Sequence, residues 1–293
     1  MKILHEKQIN INVDIVKNLI NEQFPKYNDL PINEYDSTGT VNSIFRLGKD
    51  YCVRLPYLKE YEDSILKEHK ILPYINKNVS IKIPQSIELG KPNSFYPYHW
   101  AIHSWIDGDC YENNKISNCP EIVSELVNFI KELHSIKLLK DAPKAGRKPL
   151  MELNALTIDA LSNSKSEIAY QKAIKIWEIL VNTPVWDKNS VWIHADLLKP
   201  NILIKNNHIL GIIDFGSAGI GDPAFDIIPA WAVFNKENRK IFREKLQIND
   251  EIWNRACGYA LHQAALIIPY YRDSNKSFVK QAINTINEIL MDY

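Results

Sequence analysis

Apolar positions recur with a helical period from about Val13 to Phe24, where Ile15, Val16, Leu19 and Ile20 share one face. A turn-rich stretch runs from Pro25 to Pro31. Alternation then takes over. Val41 to Leu47 reads as a strand, Gly48-Lys49-Asp50 as a turn, and Tyr51 to Leu55 as the returning arm of a hairpin that Pro56 closes. Glu60 to Ile75 has helical spacing through Ile65, Leu66, His69 and Leu72, and two further strands are expected around Gln85–Leu89 and His99–Ile106. Beyond Gly108 the pattern becomes mainly helical. Glu121 to Leu133 aligns Ile122, Leu126, Phe129, Ile130 and Leu133, with Pro120 at the helix start, where a missing N–H costs least. A second helix is expected from about Lys165 to Val181, and the last third reads as helices broken near Asn249-Asp250 and Asp273-Ser274-Asn275. The short apolar runs Val191–Ile193, Ile202–Ile204 and Ile209–Ile213 read as small strands. The pattern predicts an α+β chain of two lobes, a sheet-bearing one over 1–105 and a helical one over 106–293, with a linker near 104–108.

At 293 residues the chain is long enough to bury a sizeable core across two lobes. Lys+Arg and Asp+Glu both number 35, so there is no net charge to attract nucleic acid or an anionic membrane. No apolar stretch is long enough to span a bilayer, and Met1 to His5 leads straight into polar residues rather than a signal-peptide core. The four cysteines (Cys52, Cys110, Cys119, Cys257) form no C-x-x-C pair and are read as free thiols. A cytoplasmic protein is expected.

Chemistry concentrates in one run. His194-Ala195-Asp196-Leu197-Leu198-Lys199-Pro200-Asn201 reads H-x-D-x-x-x-x-N, and Asp214-Phe215-Gly216 follows. Kinase-fold phosphoryl-transfer enzymes carry these signatures in this order. The reaction needs a carboxylate to orient or deprotonate the attacking hydroxyl and oxygen ligands to hold Mg²⁺ on the phosphates. Asp196 is the expected base, and Asn201 and Asp214 the expected metal ligands. Alone, Asp196 is an ordinary turn-capping carboxylate, and Asp214 a strand-end residue bonding its own turn. The spacing, the strand Ile209–Ile213 that delivers Asp214, and a backbone reversal at Gly216 favour the catalytic reading. His194 is expected to pack behind the loop as a structural residue.

Ser37-Thr38-Gly39-Thr40 carries a single glycine and reads equally as a hairpin turn or as backbone facing phosphates. Arg54, among apolar neighbours, is the candidate cation for the α/β-phosphates, with Glu68 its best buried partner and Glu60 and Glu62 less well placed. Ser104, Trp105 and Ile106 are expected to meet the nucleotide base through their backbone. Lys199 is read as solvated in preference to approaching a phosphate. In Gly221-Asp222-Pro223-Ala224-Phe225-Asp226 the acids are N-cap candidates, and Asp226 reads equally as an anchor for the catalytic loop. The aromatic-rich C-terminal region (Trp231, Phe234, Trp253, Tyr259, Tyr270, Tyr271) reads mostly as core, with some rings open to lining an acceptor pocket.

The motifs H-x-D-L-L-x-x-N, I-D-F-G and G-D-P-A-x-D, with Thr38–Asn42, Phe45–Gly48 and Val53–Pro56, resemble the aminoglycoside phosphotransferase family over nearly the whole chain. That resemblance implies a bilobal protein-kinase-like fold, Mg²⁺, and ATP or GTP as donor to a small-molecule hydroxyl, with an antibiotic or a metabolite alcohol as acceptor. Ala195 stands where the family usually has glycine, and Arg54 where it usually has lysine. No A-P-E element follows D-F-G, which argues against a protein kinase. The rival expectations are a nucleotide-binding regulator without turnover, suggested by Arg54, and a metal-dependent hydrolase, which lacks a second ligand cluster in the sequence.

Overall fold

The computed structural model describes residues 9–35, 41–111 and 119–293. The chain divides into two compact units, 1–109 with 210–216, and 110–209 with 217–293.

In the first unit, α1 (Val13–Gln23) is capped by Asn12, whose Oδ1 accepts from the Ile15 N–H at 3.0 Å. Strands β1 (Ile32–Tyr35), β2 (Asn42–Leu47) and β3 (Tyr51–Pro56) precede α2 (Glu62–Ile75), and β4 (Ser86–Gly90) and β5 (Trp100–Ser104) follow it. They form an antiparallel sheet in the order β1-β2-β3-β5-β4. The expected hairpin is present, with Leu47 opposite Tyr51 across the Gly48 turn. Gly48 sits at φ +61°, a conformation that costs glycine little. Val16, Leu19 and Ile20 pack with Phe45, Leu47, Val53, Leu55, Trp100 and Ile102 into the core of this unit. The last strand ends sooner than its apolar pattern predicts. After Ser104 the Trp105 N–H turns to the Asp50 carbonyl at 2.7 Å and leaves the ladder. Ile212 donates to the Lys82 carbonyl at 3.0 Å, seating 210–216 against this unit.

In the chain order of the second region, β6 (Asp109–Cys110) is followed by α3 (Pro120–Ser135), α4 (Asn154–Ser162) and α5 (Tyr170–Leu180). α5 begins later than expected: Ser164 and Ser166 bond locally, to the Ala160 carbonyl and to Glu167, and such bonds compete with a helix start. Strand β7 (Val191–Ile193) leads into the loop that carries Asp196, and β8 (Ile202–Lys205) leaves it. Asn206 and Asn207, both left-handed, turn the chain into β9 (His208–Ile212), and β10 (Gly219–Gly221) pairs antiparallel with β7. The rest is α6 (Pro229–Ala232), α7 (Lys236–Leu246), α8 (Asp250–Tyr271) and α9 (Lys276–Leu290), with breaks where the sequence predicts them. Trp231, Phe234, Trp253 and Tyr259 are buried, whereas Tyr270 is exposed. The four cysteines are free thiols. Among the described residues no helix is long and apolar enough to cross a membrane.

Candidate active site

In the first unit, Arg54 projects from the central strand β3 and is buried. Its guanidinium donates through one nitrogen to Glu68 Oε1 at 3.0 Å and through another to Asp214 Oδ1 at 2.9 Å. One planar fork thus bridges a carboxylate on α2 and the aspartate of D-F-G. Glu68 is fully buried, and burial pushes its carboxyl up to about 7 against the opposing pull of Arg54. The same carboxylates hold the Arg54 proton more tightly than usual, although burial alone works the other way.

Asp214 itself makes the backbone reversal, at φ +65°. The reversal expected at Gly216 is therefore corrected: Gly216 has no positive φ and sits in a short 3₁₀ turn, Phe215–Ser217. Aspartate tolerates the left-handed conformation better than most side chains. Upstream, glycine is required at Gly211 by close approach, since a Cβ there would lie 2.9 Å from the Ile106 side chain and 3.1 Å from the Lys82 carbonyl.

Around the linker, the Ser104 N–H donates to the Gln85 carbonyl at 2.9 Å, and the Trp105 N–H is taken by Asp50. Trp105 stacks under the Arg46 guanidinium at 4.0 Å and meets the Tyr35 ring edge-on. Nearby, His103 is buried, and burial first and then Arg54 hold its imidazole well below its ordinary range, so it is neutral. Ser37, Thr38, Gly39 and Thr40 lie outside the described residues.

In the second unit, the loop after β7 is shaped by one buried acid. Asp226 accepts from the His194 N–H at 3.0 Å, from the Ala195 N–H at 2.9 Å, and contacts His134 Nε2 at 3.1 Å. The two roles left open for Asp226 resolve to loop anchor, and Asp222 is the N-cap, accepting from the Ala224 N–H while pairing with Arg255. Ala195 is held at φ +63°, the left-handed region that explains a glycine preference at this position. His194 is fully buried, and its Nδ1 accepts from the Asp196 N–H at 3.2 Å. That leaves Asp196 displayed on a tied loop.

Asn201 donates through Nδ2 to the Asp196 carbonyl at 2.8 Å and to Asp196 Oδ2 at 2.9 Å. This network orients the amide and leaves its oxygen as an acceptor. Gln263 Nε2 lies 3.5 Å from Asp196 Oδ1, and Arg147 is within electrostatic reach of the same carboxylate. Lys199 departs from expectation. It is buried rather than solvated, because the 3₁₀ turn Lys199–Asn201 carries it inward. Sequence reasoning missed Gln263 and Arg147 as neighbours of this loop; no local motif marks them, and both arrive from distant segments.

The structure thus brings together Arg54, Glu68 and Asp214 in one unit, and Asp196 with Asn201 in the other. Asp214 in the first unit and Asn201 in the second each present a hard oxygen of the kind magnesium accepts, since it takes few protein ligands while keeping water and phosphate.

Among solved structures, a GDP complex of an aminoglycoside 2'-phosphotransferase-IIIa mutant matches with a TM-score of 0.75 at 17% identity, covering 96% of this chain and 98% of that one. Macrolide 2'-phosphotransferase type I matches with a TM-score of 0.64 at 14% identity, over 95% and 98%. At these identities the likeness shows the fold, a kinase-like one with an antiparallel sheet in the first unit and helices in the second. A curated relative, the uncharacterized protein YcbJ of Bacillus subtilis (strain 168), is 26% identical over 139 residues, 45% of each chain. The model of the phosphotransferase enzyme family matches residues 35–261, which span Arg54, Glu68, Asp196, Asn201 and Asp214, and the chain belongs to that family.

Proposed function

We propose that this protein transfers the γ-phosphoryl group of ATP or GTP to a hydroxyl of a small molecule. The observation that carries this reading is Asp196, displayed by a left-handed loop, bonded to Asn201 and anchored by Asp226. A carboxylate held in this way is suited to accept a hydroxyl proton as the hydroxyl is aimed. The acceptor oxygen forms the new bond to the γ-phosphorus while the bond from that phosphorus to the bridging β-phosphate oxygen breaks. The acceptor proton passes to Asp196 and the nucleoside diphosphate leaves. Arg54, set by Glu68, is assigned to the α/β-phosphates. Ser37 to Thr40 are assigned to backbone contacts with phosphate, and Ile106 with the carbonyls of Ser104 and Trp105 to the base. Asn201 and Asp214 would hold Mg²⁺, which supplies charge neutralisation on the phosphates when bound. The reaction needs a triphosphate pool, so the proposed location is the cytoplasm.

One observation favours a second reading, a nucleotide-binding protein without turnover: Arg54 occupies Asp214 Oδ1, an oxygen the metal role would draw upon. Nucleotide consumption with ATP and with GTP separates the two, measured against aminoglycosides, macrolides and metabolite alcohols in the presence of Mg²⁺. Stimulation by an acceptor, with a phosphorylated product, supports transfer. Tight nucleotide binding with no stimulation by any acceptor supports the second reading and ends the first.

A further inference from the structure

The carboxylate of Asp196 is met by two side-chain amides from different elements, both within the second unit. Asn201, further along the same loop, donates from Nδ2 to Oδ2 at 2.9 Å. Gln263 comes from α8 and brings Nε2 to 3.5 Å from Oδ1. An ionised carboxylate only accepts, so the nitrogen of each amide is the end that faces it. Each carboxylate oxygen thus has an amide N–H of its own.

α8 is fastened close to this contact. One turn before Gln263, the Tyr259 ring stacks on Phe225 at 4.1 Å, next in the chain to the loop anchor Asp226. Immediately before it, the buried His262 shares a hydrogen bond with Thr157 Oγ1 at 2.8 Å. The glutamine therefore stands on a fixed base. Packing alone does not call for it. Ala260, Ala264 and Ile267, its neighbours on that side of the helix, are apolar, and the cavity they line with it is about 20 Å³, room for about one water. A half-buried amide among such neighbours costs desolvation that a hydrogen bond has to offset. The contact to Asp196 is the hydrogen bond Gln263 makes among the described residues.

The position of the contact follows the chemistry. A hydroxyl that gives its proton to Asp196 sits about 2.6–3.2 Å from the accepting oxygen. At 3.5 Å the Gln263 contact is long, as catalytic hydrogen bonds often are before a substrate arrives to tighten them. Arg147 adds positive charge near the same carboxylate without a hydrogen bond of its own among the described residues, which leaves its direction to the amides.

We infer that Gln263 is a positioning residue: with Asn201 it clamps the Asp196 carboxylate, one amide N–H on each oxygen, and so fixes the direction in which the acceptor hydroxyl is met. This rests on the phosphotransferase reading, with Asp196 as base.

Three variants separate the donor from its bulk. Gln263→Met keeps the length and loses the N–H, Gln263→Glu keeps the shape and replaces the donor with a like charge, and Gln263→Lys keeps a donor. Nucleotide turnover is followed with Mg²⁺, with water as the acceptor and with any alcohol that stimulates it. kcat is expected to fall roughly 10–100-fold in Gln263→Met and further in Gln263→Glu, and to recover most of that loss in Gln263→Lys, with KM for nucleotide unchanged. Because the effect runs through the carboxylate, Gln263→Met is expected to change nothing further when added to Asp196→Asn. A wild-type kcat in Gln263→Met, or an equal loss on both backgrounds, overturns the inference. So does a loss carried by KM and melting temperature instead of kcat.

A second readout needs no turnover. In ¹⁵N-labelled protein the Gln263 side-chain NH₂ pair is identified by its disappearance in Gln263→Met. Asp196→Asn is expected to move that pair. Such a shift supports the clamp even where no acceptor is phosphorylated, so a failure of the phosphotransferase reading stays distinct from a failure of the clamp. A pair at the position of a free glutamine amide, unmoved by Asp196→Asn, overturns it.

Discussion

The two units hold their acids by different means. In the first unit one arginine bridges two carboxylates, so side-chain charge does the holding. In the second, one buried carboxylate gathers backbone N–H groups, and the geometry of the loop is what it fixes. The contrast matters because the two arrangements fail differently. Removing a charge from the first leaves another charge uncompensated in a dry place, and the damage depends on pH. Removing the acceptor from the second leaves buried donors unpaired at every pH, and the loop loses its shape.

Breaking the second arrangement has the largest expected effect on stability. Asp226→Ala orphans the His194 and Ala195 N–H groups, at a cost of about 3–5 kcal/mol from two lost buried bonds and their desolvation. Denaturant unfolding measures it, and a loss below about 1 kcal/mol would mean the anchor is dispensable.

Arg54→Met breaks the first arrangement, with an expected loss of about 3 kcal/mol near neutral pH. Here the pH dependence follows from Glu68, whose carboxyl is raised to about 7 even with the arginine present. A raised carboxyl means the folded state binds the proton more readily, so stability falls as pH rises from the unfolded value through the folded one. The variant is therefore expected to be closest to wild type near pH 5 and furthest near pH 8, read as the difference in melting temperature. A pH-independent difference would remove Glu68 from the account.

Lys199→Met sharpens the comparison in the opposite direction. The ammonium is lowered from 10.5 to about 8, so the unfolded chain binds the proton more readily and wild-type stability rises with pH across that window. Below about pH 8 the methionine variant is expected to be the more stable, by up to about 3 kcal/mol, the advantage shrinking toward pH 10. Thermal melts across that range check the sign.

The smallest effect belongs to Ala195→Gly, which relieves a left-handed alanine worth about 1 kcal/mol and gives part of it back through unfolded-chain entropy. A destabilised variant would show that alanine at φ +63° is not strained.

Much of this was legible beforehand, for physical reasons that differ by region. The β2–β3 hairpin and α3 carry strong periodicity, and both appear with boundaries within a residue or two of expectation. Arg54 and Glu68 were a readable pair because a cation amid apolar strand residues needs a buried acid on the next helix. The short strand β1, with one half-buried and three exposed residues, has no pattern to read, and α4 is nearly as unpatterned. Lys199 was misread because composition says lysine is solvated, and only the packing of α8 and α9 over the loop shows otherwise. The reversal at Asp214 was misplaced onto Gly216 because glycine is the usual residue for it.

Asp196→Asn in an acceptor-stimulated nucleotide-consumption assay, run beside nucleotide binding, tests the central claim most directly. The substitution removes the proton acceptor and keeps the shape and the capacity to bond Asn201. The account predicts kcat lower by roughly 10²–10⁴ with nucleotide affinity nearly unchanged. Turnover within a few fold of wild type, on the same acceptor and with the phosphorylated product verified, would contradict it.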